Sequence, residues 1–199
     1  MKTMEFSLCK REIVLHFFTA YIKKKCNFNG FKLLAIMIRN IIVVRHAKSD
    51  WENNGISDHE RPLNTRGRRD IPLMASYLIQ HYPSIDFVLS SDSLRTKETI
   101  EGLQKYGYNL SNITYTNNLY LASEDKIIDE IVGIDNAHSN VLICGHNPGL
   151  SEFVQNFCSL DFMDMPSLGA IYIEVDIDSW DDIYTSKGNI VRFDYPKKK

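Results

Sequence analysis

The stretch Ile41–Trp51, IIVVRHAKSDW, sets four β-branched apolar residues directly against an Arg-His pair and then a polar loop. An unbroken apolar run of this kind predicts a strand covered on both faces, because a half-exposed strand would alternate. Such a strand would deliver Arg45 and His46 side by side at one edge of a sheet. A lone Arg-His after a strand is a weak signal, since every strand ends somewhere. Its meaning depends on what the other strand ends carry.

Two further apolar runs predict buried strands, so the set is 40–44, 86–89 and 140–144. Each is followed by a helical pattern. After the first, Leu73, Met74, Tyr77 and Leu78 are spaced as one helical face, with Thr65 as a cap and Pro72 either bending the helix or marking a late start. After the second, residues 93–106 continue as a helix. After the third, Leu150, Phe153, Val154 and Phe157 follow the i, i+3, i+4, i+7 spacing. Ile127, Ile128, Ile131 and Val132 mark a shorter helix between the second and third units. Runs at 170–175 and 189–193 predict two more strands, the last at an edge. Alternating strands and helices predict an α/β fold: a three-layer sandwich around a mostly parallel sheet, with an antiparallel edge strand. Sheets of this type bind ligands outside the carboxyl ends of their strands, at a topological switch point.

Those ends share one chemistry. The first carries Arg45 and His46, the second Ser90-Ser91 with Arg95 in the first turn of the next helix, and the third Gly145-His146-Asn147-Pro148-Gly149. Arg presents a planar fork that matches two phosphate oxygens. A helix N-terminus offers unpaired N–H groups and positive dipole density near Arg95. In the third turn, Gly145 permits close backbone approach, Asn147 is a good cap and Pro148 suits the first helical position. Imidazole is near half-protonated at neutral pH, so one histidine can attack while another, His146, stays cationic. The set predicts an anion site sized for a single phosphoryl group, with no carboxylate cluster in it.

Composition agrees with a local pocket rather than a charged face. The chain has 199 residues, 44% hydrophobic and 24% charged, with a formal net charge of −2. Residues 1–36 carry seven Lys or Arg against Glu5 and Glu12, whereas residues 37–199 carry 16 basic against 23 acidic residues. The acidic balance of the larger part argues against nucleic acid as a partner. Cys9, Cys26, Cys144 and Cys158 have no C-x-x-C spacing, which predicts free thiols in a reducing, cytoplasmic setting, with Cys144 an inert core residue. The six histidines show no paired-ligand spacing with acidic partners, so no metal or other cofactor is expected. The run IVLHFFTAYI within residues 1–36, which contains His16, is shorter than the ~20 residues a spanning helix needs. We read residues 1–36 as a dispensable N-terminal extension and residues 37–199 as the functional domain; a basic membrane-surface segment is the alternative reading of the extension.

The motifs VVRHAKSDW, SDHERPLNTRGRRDIPLM, VLSSDSLRTKET, LYLAS and VLICGHNPGL resemble the histidine phosphatase superfamily, and within it the small SixA-type phosphohistidine phosphatases. The resemblance spans about residues 38–175. It implies a phosphoglycerate-mutase-like fold and assigns His46 as a nucleophile that passes through a phosphohistidine. Arg45, Arg95 and His146 would then hold the phosphoryl group, and Arg61 of the RPLN segment would be a further basic residue near the pocket. Many larger members carry a glutamate that protonates an alcohol leaving group; here the matching position in LYLASEDK is Leu121. Glu124 and Asp125 are the nearby acids, and both also fit a helix start, the reading we favour for Glu124. A missing acid suits a phosphorus–nitrogen bond, because imidazole can leave already protonated. The expected reaction is therefore metal-independent dephosphorylation of phosphohistidine on a protein. The alternatives are a phosphomonoesterase or mutase for a small phosphorylated metabolite, and a catalytically silent phosphate-binding module. His59 in SDHERP is a candidate for the pocket mouth, while His16 is more simply packing.

Overall fold

The structure, a computed structural model, describes residues 38–52 and 55–196. The expectations for residues 1–36, including His16, Cys9 and Cys26, lie outside the described residues. The elements run β1 (Ile38–Arg45), α1 (Thr65–His81), β2 (Phe87–Ser91), α2 (Leu94–Lys105), β3 (Ile113–Thr116), a 3-10 turn (Asn117–Leu119), α3 (Glu124–Val132), β4 (Asn140–Gly145), α4 (Gly149–Phe157), β5 (Ala170–Asp176), a second 3-10 turn (Trp180–Thr185) and β6 (Asn189–Asp194).

The six strands form one sheet in the order β3-β2-β4-β1-β5-β6. β1, β2, β3 and β4 pair in parallel, and the antiparallel pairings are confined to one side, β5 with β1 and β6 with β5. This is the predicted mixed α/β sandwich, with β6 at its edge. Period-2 alternation sorts the central strands into two cores. Ile41, Val43, Val141 and Ile143 point to the face covered by α3 and α4, meeting Ile127, Ile131, Phe153, Val154 and Phe157. Ile42, Val44, Leu142 and Cys144 point to the opposite face, covered by α1 and α2, meeting Ile71, Met74, Leu78, Ile100 and Leu103. Covering on both faces is why the strand sequences read as unbroken apolar runs.

Local expectations are corrected at four points. Thr65 is the first residue inside α1; the cap is Asn64, whose side chain accepts from the Gly67 N–H at 2.9 Å. Helix α1 runs from Thr65 to His81 through Pro72, and its buried face is Ile71, Met74, Ala75 and Leu78, while Leu73 is exposed. Strand β3, ITYT, escapes the apolar-run criterion because its edge position leaves Thr114 and Tyr115 exposed. In the turn before α4, Asn147 does not cap: its Nδ2 donates to Asp164 Oδ1 and to the Met165 carbonyl, both at 3.1 Å.

Close backbone approach belongs to Gly149 rather than Gly145. A Cβ on Gly145 would meet only Leu150 at an ordinary 3.6 Å, whereas one on Gly149 would lie 1.9 Å from the Ala122 carbonyl oxygen. Helix α4 thus sits against the backbone that leads into α3. The amino end of β1 is tied differently: the fully buried Arg39 guanidinium donates to the carbonyls of Asn136, His138 and Asp178 and lies over the Trp180 ring.

Gly149→Ala is expected to destabilise the protein by about 1–3 kcal/mol, the usual cost of overpacking, while Gly145→Ala changes stability by under about 1 kcal/mol. Urea unfolding of the two variants checks the contrast; equal losses would refute it.

Candidate active site

Register brings the three strand ends together. The last rung between β1 and β4 pairs Arg45 with Gly145, and β2 pairs with β4 through Ser90 and Cys144. One residue beyond the rung, the His46 N–H donates to the Gly145 carbonyl at 3.2 Å and the His46 carbonyl accepts from the Leu168 N–H at 3.1 Å. Both backbone groups of His46 are therefore fixed. The next N–H, that of Ala47, donates to Thr99 Oγ1 of α2 at 3.0 Å, which ties the loop after β1 to the helix that carries Arg95.

The His46 ring has one defined tautomer. Its Nδ1 lies 2.7 Å from the Ala47 carbonyl oxygen, an acceptor only, so Nδ1 carries the proton and the neutral ring keeps its lone pair on Nε2. Burial, helped by the nearby Arg95 and Arg45 charges, lowers the His46 pKa from 6.5 to about 4 against the opposing pull of the Ala47 carbonyl. His146 lies alongside, with ring centroids 5.0 Å apart. Its Nε2 is 2.9 Å from Ser91 Oγ and 3.5 Å from Ser93 Oγ, while its Nδ1 is buried with no hydrogen-bond partner among the described residues. Burial, then the neighbouring His46 and Arg95, push its pKa down to about 2. His146 is thus neutral in the pocket that the protein's own groups build. In the free pocket burial and the neighbouring arginines both oppose the expected imidazolium.

Arg45 donates through Nη1 to the Met165 carbonyl at 2.5 Å, and its Nε is buried without a partner among the described residues. Arg95, whose side chain is only 4% exposed, is held by a residue that the sequence pattern did not single out. Its Nη1 donates to the Asp58 carbonyl at 2.5 Å and its Nη2 to Asp58 Oδ2 at 3.0 Å. The Tyr120 hydroxyl donates to the same carboxylate oxygen at 2.6 Å. Burial alone would raise the Asp58 carboxyl, but the Tyr120 and Arg95 hydrogen bonds and charges outweigh it and hold it below the usual carboxylate range. The site therefore contains one carboxylate, that of Asp58, beside Arg95. Asp58 lies inside the motif SDHERPLN and Tyr120 inside LYLAS, so both stood in segments flagged by resemblance, but no spacing rule singled them out.

Arg61 lies with its guanidinium over the Trp51 ring at 4.4 Å and its Nε 3.6 Å from Asp58 Oδ1, so it joins the pocket through Asp58. His59 Nε2 is 2.7 Å from Asp92 Oδ1, and its ring meets Tyr120 edge-on at 4.8 Å. Tyr120 in turn meets His146 edge-on at 5.6 Å. Glu124 opens α3, where its Oε2 accepts from Asn156 Nδ2 at 2.5 Å; the carboxylate brought to the arginines is Asp58 instead. Cys144 is buried and its thiol is pushed up to about 12 by burial, in keeping with an inert core residue. Among the described residues, no group of three or more His, Cys, Asp and Glu side chains could hold a metal ion, and no helix is long and apolar enough to cross a membrane.

Comparison with known proteins agrees with the fold. The model of the histidine phosphatase superfamily (branch 1) matches residues 41–119, which hold Arg45, His46, Asp58 and Arg95. An uncharacterized protein of Mycobacterium tuberculosis is 29% identical over 164 residues, covering 77% of this chain and all of that protein. Among solved structures, a protein assigned as the phosphohistidine phosphatase SixA of Nakamurella multipartitia superimposes with a TM-score of 0.69 at 21% identity, covering 81% of this chain and 98% of its own. A protein histidine phosphatase SixA complexed with tungstate gives a TM-score of 0.67 at 22% identity, covering 79% and 97%. At such identities the structural likeness is one of fold. Sheet, strand-end site and family model together define a phosphatase, a hydrolase of phosphoryl groups. Over residues 41–119 the chain is similar to the histidine phosphatase superfamily (branch 1).

The depressed imidazole pKa values have a measurable consequence. The unfolded chain takes up protons on these histidines near pH 6.5, whereas folded His46 does so only near 4. Between those values the unfolded state binds more protons, so stability falls as pH drops from about 6.5 toward 4. NMR titration of the histidine side chains is expected to show His46 and His146 neutral throughout pH 5.5–7.5; a midpoint near 6.5 for either would contradict the burial argument.

Proposed function

We propose that this protein is a metal-independent phosphatase that uses His46 Nε2 as its nucleophile and acts on phosphohistidine carried by a protein. The observation that carries the reading is the His46 ring itself. Burial holds its pKa near 4, its Nδ1–H is committed to the Ala47 carbonyl, and it stands near the half-buried Arg45 and the buried Arg95 at the carboxyl end of a central strand.

The reaction then proceeds as two in-line displacements. The Nε2 lone pair of His46 attacks phosphorus, and the bond from phosphorus to the substrate's imidazole nitrogen breaks. Water next attacks the phosphohistidine, the P–Nε2 bond breaks, and inorganic phosphate leaves. The transferring group spreads charge over its equatorial oxygens, so catalysis rests on positioning and fixed positive charge. Arg45 and Arg95 supply that charge. Ser91 Oγ, accepting from the Ser93 N–H, can donate to His146 Nε2, which leaves the His146 Nδ1–H as a donor for a phosphoryl oxygen. A bound dianion also favours protonation of His146, giving it in the complex the charge it lacks otherwise.

Three features support a nitrogen leaving group on a protein. The family's leaving-group acid falls by resemblance at Leu121, Glu124 is bonded to Asn156, and the Asp58 carboxyl is held below the usual carboxylate range, so none of these supplies a carboxylic acid for an alkoxide. An imidazole needs none. Trp51 and Leu121, exposed by 59% and 55% beside Arg61 and Tyr120, offer apolar surface to a macromolecular partner. We also propose that residues 37–199 suffice for activity.

The test is phosphate release, in excess EDTA, from a histidine-phosphorylated protein and from a simple phosphomonoester. We expect much faster release from the phosphohistidine and a loss of about 10³-fold or more in His46→Ala. A chain beginning at Met37 is expected to keep the full rate. Faster turnover of the ester would move the substrate to a small metabolite, and no turnover of either would leave a phosphate-binding module.

A further inference from the structure

We propose that Asp58 is a resident competitor for the phosphate fork of Arg95, so that a phosphoryl group binds by displacing the Asp58 carboxylate. The inference rests on the reading of Arg95 as a phosphoryl ligand. Both terminal nitrogens of Arg95 are already engaged by this one residue, Nη1 by its carbonyl and Nη2 by its carboxylate. A guanidinium buried to this degree cannot stand unpaired without a large desolvation cost. Carboxylate and phosphate present the same oxygen geometry to an arginine fork. Asp58 therefore neutralises Arg95 in the way a phosphoryl group would.

The two partners differ in how freely they can part. Arg95 is fixed in the first turn of α2, and its side chain is 4% exposed, against 36% for Asp58. Asp58 stands on the loop before α1, outside any helix or strand, where rotation about its side-chain bonds carries the carboxylate into water. The Asp58 carboxylate is also held by the Tyr120 hydroxyl, which donates at 2.6 Å to the oxygen that Arg95 Nη2 holds, and by Arg61 at 3.6 Å from the other oxygen, so its departure leaves Arg95 in place. The moving part is thus the carboxylate.

Competition of this kind lowers the affinity of every phosphate-bearing species that reaches the site. The affinity of any ligand is reduced by the fraction of time the fork is filled. Free phosphate has only the pocket contacts to set against that reduction. A phosphoprotein adds contacts outside the pocket. Asp58 would therefore keep product phosphate weakly bound, speed its release and leave the arginine paired and correctly placed between turnovers. It is a positioning residue that tunes how tightly the pocket holds phosphate, distinct from a proton donor.

The test is titration of the full-length protein with inorganic phosphate at pH 7.5 by calorimetry, across wild type, Asp58→Asn, Arg95→Gln and the double variant. Asn is isosteric with Asp, and Asp58→Ser serves as a second variant should Asp58→Asn fold poorly. We expect Asp58→Asn to bind phosphate about tenfold more tightly, as for a fork filled about 90% of the time. We expect that gain to vanish when Arg95 is Gln, because there is then no fork to contest. The same gain with Arg95→Gln would make Asp58 only a nearby negative charge and overturn the proposal. Unchanged phosphate affinity with loss of ester turnover would make it a proton donor, and overturn it equally. If no variant binds phosphate, both this inference and the phosphatase reading fail. If His46→Ala abolishes turnover while Asp58→Asn gains nothing, only the competitor role falls.

Discussion

The parallel pairing of β1 with β4 is the constraint on which the site depends. Its last rung sets Arg45 opposite Gly145, and the hydrogen bond from the His46 N–H to the Gly145 carbonyl extends the ladder one step past the strand. A slip of one residue would turn Ile41 and Val43 into the wrong core and send His46 away from His146. The two cores exclude that slip, since each face of the sheet is sealed by its own pair of helices. Apolar burial far from the chemistry thus decides which two imidazoles meet.

Around those imidazoles the protein has concentrated positive charge in a place where burial disfavours charge. It resolves the conflict unevenly. The arginines, which cannot give up a proton, are satisfied by Met165 and Asp58, while the histidines stay neutral. Neutrality is what a nucleophilic nitrogen requires, so the desolvation that would penalise a salt-bridged histidine here prepares it for attack.

Much of this was legible in the sequence, and the reason is burial. The strands 40–44, 86–89 and 140–144 are covered on both faces, so their composition alone marks them, and the polar residues that follow them stand out by contrast. Edge strand β3 carries no such mark. Leu73 was assigned to the wrong side of α1 because a helical face can be phased in two ways when Ile71 and Leu73 are both apolar; only the position of α2 decides. Asp58 and Tyr120 were invisible as partners because they reach Arg95 from loops some 37 and 25 residues away in the chain, and no periodicity governs such encounters. The lowered pKa of His146 was hidden for a related reason: a sequence names the charged neighbours without saying how deeply they are buried together.

The seat of Gly149 on the Ala122 carbonyl also bears on how such a fold can diversify. The Ala122 backbone touches the start of the helix that follows His146, with no room for a single additional carbon on Gly149. Added chain at that seam would lift α4 and carry His146 out of line with His46. Elaboration of the pocket mouth is therefore channelled elsewhere. The seam acts as a fixed joint, and new specificities must be built around it.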